Sequence, residues 1–232
     1  ADFRTADTAG AITAWIKPVD ATHSADQTIF TASDTASGSY YLQFLLRTDG
    51  KLWIQHRDSS TVYDLRSTNA LKDGVWQHVA VVSTGSAILI YINGVSETIV
   101  VDAGANNGDW FGDMTDSKLD NASIGTTIDD SGARLFFNGS IADVRYYSAA
   151  LTAADVAILA SKIQKDDALT SIQAVHHWKL NSDTISTSGV GDDTGSATAI
   201  DMTPTSIVAG SFDYDAFSVA VQDNSTTTDG AV

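Results

Sequence analysis

The sequence predicts an all-β protein, a two-sheet antiparallel sandwich of jelly-roll type with one short accessory helix. Three observations predict it. Short segments of alternating apolar and polar residues recur with turn signals roughly every ten residues. Tight-turn pairs, Asp49-Gly50, Thr84-Gly85 and Asn93-Gly94, separate several of these segments, and glycine there reaches positive φ without a Cβ clash. Only one stretch joins a helix cap to a 3.6-residue apolar period. Two stacked sheets hide both inner faces, which a lone meander does not.

From the N-terminus, AITAWIK alternates Ile12, Ala14 and Ile16 against Thr13, Trp15 and Lys17, the period of a half-buried strand, and stops at Pro18. QTIFTAS follows as a second strand. YYLQFLLRTDGKLWIQHR reads as a hairpin closed at Asp49-Gly50, and WQHVAVVSTGSAILIYINGVSETIVV as a three-stranded meander. Between Asp102 and Asp120, DAGANNGDWFGDMTDSKLD is longer than a simple connection needs, and such loops form rims where function or mobility concentrates. ASIGTT and LFFNGSIADVRYYSAAL return to strand, with Phe137, Ile141, Val144 and Tyr146 available to a core. LTAADVAILASKI supplies the helix, from about Thr152 to Ser161. Thr152 caps it, Asp155 stands at the third helical position, and Val156, Leu159 and Ile163 share a face. QKDDALTS is a polar connector, after which strand and loop signals resume to Val232. Trp15, Trp76 and Trp178 lie in the strongest strand patterns and read as core.

The 232 residues suffice for one large β-domain or two small ones. The division expected is a jelly-roll core over 1–164 and a connector and tail over 165–232. The formal net charge is −16, and every acidic residue but Glu97 is an aspartate. Aspartate is a poor strand and helix former but a good loop residue, cap and calcium ligand, so the charge belongs in loops and rims. An anionic surface disfavours nucleic acid and anionic membranes. Cysteine is absent, which excludes disulfide and thiolate chemistry. No apolar run approaches membrane-spanning length, so no membrane insertion is expected. The opening residues ADFRTADTAG lack the basic and apolar regions of a secretion signal; either the protein is soluble or a targeting segment has been removed.

The succession AITAWIKP, YYLQFLLRTDGKLWIQHR, LKDGVWQHVAVV, AILIYINGV, ASIGTT and FFNGSIADVRYYSAALTAADVAIL resembles the laminin G-like jelly rolls of the concanavalin A-like lectin/glucanase superfamily, over Ala11 to about Ser161. DGVWQHVAVV and FNGSIADVRYYSAALTAADV are its most specific parts. The resemblance implies two curved antiparallel sheets and leaves function open, because the superfamily hosts many. It also implies that a segment like HHWKLNSDTISTSGVGDDTGSATA should precede the core, whereas here it follows it. Three arrangements account for that order: a permuted domain that closes on its own tail, an excerpt of tandem domains, or a tail that completes a neighbouring subunit in a homo-oligomer. The segment from 175 to about 217 is expected to fill the place of the family's first strands, in this domain or in a neighbouring copy, and not to form a separate second domain.

The chemistry expected is binding. A glycosidase needs two carboxyl groups flanking one bond, and the closely spaced glutamates of the glucanase branch have no counterpart beside the single Glu97, so the chain is not read as an enzyme. His78 reads as structural, and His176 and His177, adjacent in a strand, point to opposite faces and cannot share one metal. Calcium is a candidate cofactor at two places. One is the loop of Asp109, Asp113, Asp116 and Asp120. The other joins Asp143, which the resemblance matches to a calcium-binding position in relatives, with Asp192 and Asp193; ordinary turn aspartates are the alternative for both. For a sugar, Trp110 and Phe111 with Asp109 and Asp113 are candidate ligand-binding residues, the aromatic pair either tucking under to anchor its loop or facing a ligand. Trp53, His56 and Arg57 are candidates to line a concave sheet, with Trp53 equally suited to the core.

The function expected is a non-enzymatic recognition module, extracellular or on a virion surface, that binds glycans or another cell or particle surface. The alternative is a structural subunit, such as a capsid-decorating, fibre or appendage protein, that uses the jelly roll for assembly without a small-ligand site.

Overall fold

The structure, a computed structural model, describes residues 4, 6–115, 118–161, 169 and 171–180, with short paired stretches at 185–186 and 189–190. Its strands are β1 (Gly10–Pro18), β2 (Gln27–Asp34), β3 (Ser37–Leu46), β4 (Lys51–Asp58), β5 (Ser60–Ala70), β6 (Gln77–Ser83), β7 (Ile88–Ile92), β8 (Val95–Ser96), β9 (Ile99–Gly104), β10 (Asn121–Ile124), β11 (Thr127–Asp129), β12 (Gly132–Arg134), β13 (Gly139–Tyr147) and β14 (His176–Trp178). One helix, α1, spans Ala153–Ser161. Six strands form a first sheet in the order β14-β13-β1-β6-β7-β8, six form a second in the order β10-β2-β3-β4-β5-β9, and β11 and β12 make a separate hairpin. The pairings are antiparallel, and the two-sheet sandwich with one short helix is the fold class the sequence predicts.

The core lies between the sheets. Ile12, Ala14 and Ile16 of β1 face inward as their alternation requires, joined by Val79, Val81, Ile90, Val144 and Tyr146 from the same sheet. Phe30, Leu42, Phe44, Leu52, Ile54 and Leu65 meet them from the second sheet, all at 0% exposure. Each such fully buried large side chain stabilises the fold by about 1.5–3 kcal/mol relative to exposure.

The outer faces of the two sheets differ, and that difference positions the site. On the first sheet, Ala11, Ala80, Val82, Tyr91 and Tyr147 are covered by Leu151, by Val156 and Leu159 of α1, and by Leu169 and Ala174. Strand β6 is therefore buried at every residue. α1 starts where its capping box predicts: Asp155 N–H donates to Thr152 Oγ1 and Thr152 N–H to the Asp155 carboxylate. Ile163 lies outside the described residues. On the second sheet, β4 alternates buried and part-exposed residues, because no helix among the described residues covers it. Among the described residues, the β11–β12 hairpin lies on part of that sheet, tied to β2 by Thr28 Oγ1 to Thr127 Oγ1 at 2.9 Å and by Ser33 Oγ donating to Ile128 O.

Three elements depart from the sequence reading. β5 was not anticipated. The meander's third strand divides: Val95–Ser96 stays with β7, while β9 crosses over to pair with β5 in the second sheet. Trp76, expected in the core, is part-exposed at the entrance to β6, whereas Trp15 is buried on the outer side of the first sheet, edge-on to His78. Of the tail, His176–Trp178 forms the edge strand beside β13 in this same chain, with Trp178 buried in the core against Phe30. Residues 191–232 lie outside the described residues.

Candidate functional site

The outward residues of the second sheet fall into rows set by strand register, since directly paired residues share a face. One row runs Ser123, Thr31, Gln43, Gln55 and Asp64 across β10, β2, β3, β4 and β5. A second, on one side of it, runs Asn121, Ser33, Tyr41 and Arg57. A third, on the other side, runs Leu45, Trp53 and Arg66. Polar side chains on an uncovered sheet face are ordinary; polar atoms shielded there without a partner are not. Gln43 is only 3% exposed and its Nε2 has no hydrogen-bond partner. Trp53 Nε1, Arg57 Nε, Asp64 Oδ1 and Asn121 Nδ2 are likewise buried and unpartnered. Each such atom costs about 1–3 kcal/mol unless something satisfies it, and five of them lie on this one face.

Charge on this face is organised. Arg47 and Arg66 both bond Asp102, at 3.2 and 2.7 Å, and the Arg47 guanidinium lies 4.4 Å from the Trp53 ring centre. Arg134 of the small hairpin is held by Asp129. Burial pushes the Tyr41 hydroxyl up from its ordinary titration range, an effect opposed by its hydrogen bond to Arg57. Desolvation also raises Asp64, against the bond from Gln55, and nearby Asp102 adds to the rise.

The candidate residues from the sequence are placed as follows. Trp53 stands on this face, as does Arg57. His56 does not: it takes the inward position after Leu52 and Ile54, is fully buried, and packs on Tyr63 with ring centres 5.5 Å apart. Burial lowers its pKa to about 4. Trp110 and Phe111 are also fully buried, edge-to-face at 4.9 Å, with Trp110 Nε1–H donating to Tyr146 Oη. They anchor the long loop and have no face left for a ligand, because burying two large aromatics outweighs leaving them in a polar loop. Asp113 accepts from Trp110 N–H and Asp109 from Asn107 Nδ2–H, so both organise that loop.

Of the calcium candidates, Asp143 already has partners. Asp143 is buried, its Oδ1 accepting from Arg145 Nε at 2.9 Å and lying 2.6 Å from His177 Nε2. Despite opposing desolvation, the Arg145 guanidinium and then His177 hold its carboxyl well below the usual carboxylate range, and Asp143 in turn raises Arg145. A divalent cation at Asp143 would sit against that guanidinium. His176 and His177 do point to opposite faces, His176 stacking on Trp178 inside while His177 meets Asp143 outside. Among the described residues no three His, Asp or Glu side chains converge to hold a metal. Asp116, Asp192 and Asp193 lie outside the described residues.

Sequence reasoning missed Tyr41, Gln43, Gln55, Asp64 and Asn121. The only available signal was their outward place in alternating strands, which says nothing of which strands are neighbours.

The fold recurs in solved structures. The CBM40 module of the Ruminococcus gnavus IT-sialidase, bound to α2,3-sialyllactose, superposes with a TM-score of 0.57 at 17% identity over 67% of this chain and 84% of its own. A Bacteroides ovatus ATCC 8483 protein assigned a candidate carbohydrate-binding role gives 0.60 at 21% identity over 87% of this chain and 53% of its own, so the chain spans about half of that protein. The leech intramolecular trans-sialidase gives 0.54 at 21% identity over 66% and 23%. At these identities the likeness shows the fold. No curated protein sequence matches. The sequence profile described as the concanavalin A-like lectin/glucanases superfamily matches residues 1–157, and the chain belongs to that superfamily, in its laminin G-like branch.

Proposed function

We propose that the chain is a non-catalytic carbohydrate-recognition module, displayed outside the cell or on a particle surface, that takes a glycan on the open face of the second sheet. The observation that carries this reading is the set of five shielded, unpartnered polar atoms gathered on that face by Asn121, Gln43, Trp53, Arg57 and Asp64. Sugars present closely spaced hydroxyls that satisfy such atoms, and a sheet backed by a packed core holds them in fixed positions. The structural neighbours described as a carbohydrate-binding module and as a candidate carbohydrate-binding protein support the reading. Glu97, the single glutamate, accepts from Asn69 N–H and Nδ2–H in a local bond, which suits structure rather than turnover.

A glycan panel tests the proposal. The native chain should retain at least one class of glycan without releasing reducing sugar, and Gln43→Ala with Gln55→Ala should abolish retention while the native fold persists by circular dichroism. Retention that survives this double substitution would place the binding elsewhere.

A further inference from the structure

We propose that Arg57 makes the open face selective for sugars that carry a carboxylate, such as uronic or sialic acids. This rests on the glycan-binding reading and names its ligand class.

The first support is an imbalance of charge partners. The chain has six arginines. Arg4, Arg47, Arg66, Arg134 and Arg145 each have an aspartate within salt-bridge distance: Asp7, Asp102, Asp102, Asp129 and Asp143. Among the described residues, Arg57 has none. With 29 acidic residues against 13 basic ones, a salt bridge would be the ordinary outcome; Arg57 instead bonds Tyr41 and only feels Asp64 at longer range, which leaves guanidinium donors for an external anion. A protein of net charge −16 does not attract anions through its overall field, so selection has to come from this local arrangement.

The second support is the chemistry of the unpartnered atoms. Of the five shielded, unpartnered atoms, Arg57 Nε, Gln43 Nε2, Trp53 Nε1 and Asn121 Nδ2 are donors and Asp64 Oδ1 is an acceptor. A neutral sugar offers hydroxyls that both give and accept, and would leave that surplus of donors partly unmatched. A carboxylate only accepts, and the guanidinium fork takes it through two parallel N–H bonds. The register places the pieces in a consistent order. Arg57 shares its row with Tyr41, Ser33 and Asn121, so the anion belongs at that edge. Asp64 stands one row away beside Gln55, where its free oxygen accepts from ring hydroxyls of the same residue. Arg57 is only part-buried, so a ligand reaches it from solvent.

The experiment compares the full chain with Arg57→Gln and Arg57→Lys, by affinity electrophoresis and calorimetry at about 0.15 M salt. The probes are polygalacturonate, its methyl-esterified form, sialyllactose, lactose, dextran and dextran sulfate. The expected result is binding to polygalacturonate or sialyllactose, with none to the ester, lactose or dextran. Arg57→Gln should then weaken binding roughly ten- to hundredfold, and Arg57→Lys should recover little because it restores charge without the fork. Both variants should keep the native fold by circular dichroism, since Arg57 holds no salt bridge and loses only its bond to Tyr41. Equal binding of the ester or of a neutral sugar, or full binding by Arg57→Gln, overturns the carboxylate assignment and leaves the glycan face standing. Equal binding of dextran sulfate replaces it with a general anion site. Failure to bind any saccharide, acidic or neutral, overturns the glycan reading itself.

Discussion

His56 shows how a single residue sets the response to acid. It fills an inward position of β4, and neither ring nitrogen has a hydrogen-bond partner. Burial lowers its pKa to about 4, and burial likewise lowers His78 on the first sheet to about 4, from an ordinary value of 6.5. Between those values the unfolded chain binds protons that the folded chain refuses. Stability is therefore full above about pH 6.5 and falls as pH drops toward 4, by up to about 3 kcal/mol for each imidazole. Asp143 acts over a lower window: its depressed carboxyl contributes stability that is present above the ordinary value of 3.8 and lost as pH falls below it toward the folded pKa. Replacing His56 with leucine removes two unsatisfied atoms from the core and one of the two imidazole titrations. We expect His56→Leu to raise stability at pH 7 by about 1–2 kcal/mol and to flatten the loss between pH 7 and pH 5. Urea unfolding at both pH values measures this; an unchanged pH slope in the variant would show that His56 is not the group responsible.

At the scale of elements, turns were legible and neighbours were not. Asn93 and Gly94 both adopt positive φ, 50° and 79°, the geometry of the two-residue hairpin that joins β7 to β8 and that the sequence pair foretells. The sequence does not show that α1 lands on that turn. A Cβ on Gly94 would lie 3.1 Å from both Ala157 Cα and Ala160 Cβ. Gly74 also has positive φ, 64°, yet a Cβ there meets nothing within 4 Å. Gly74→Ala therefore reports the backbone cost alone, about 1 kcal/mol, and Gly94→Ala should lose about 1–2 kcal/mol more because the helix must shift. Equal losses in the two variants would mean that the helix contact adds nothing. β5 escaped notice for a related reason. Its inward positions read Tyr63, Leu65 and Ser67, so only two apolar residues mark the period, and Asp64 and Arg66 look like ordinary loop residues. The open face suffers most, because its rows draw on β10 at one edge and on β5, strands that no local pattern assigns to the second sheet. The aromatic pair Trp110 and Phe111 misled in the opposite sense: a polar loop suggested exposure, while the end of the sandwich had room to bury both.

Among the described residues, one sheet is sealed on its outer face and the other is not, and the seal depends on chain that follows the helix. The first sheet is covered outside by α1 together with Leu169 and Ala174, and extended at its edge by β14. Trp178 and Leu180 enter the core from that edge, Trp178 fully buried. Removing everything after Ser161 would strip both contributions, making β13 an uncovered edge with Val144 and Tyr146 behind it, an arrangement that invites pairing with other chains. Trp178→Ala alone should cost about 3–5 kcal/mol, as expected when a buried tryptophan leaves a cavity. Truncation after Ser161 should cost more and yield aggregates, and a synthetic peptide covering 169–180 should restore a soluble fold by pairing with β13. A truncated protein that stays monomeric and melts like the full chain would refute this dependence. Rescue by the peptide carries a further consequence. A strand that can be supplied from outside can also be supplied by a second copy, so sedimentation of the full chain over a range of concentrations separates closure within one chain, which gives 24.5 kDa throughout, from tail exchange, which gives a dimer or larger assembly.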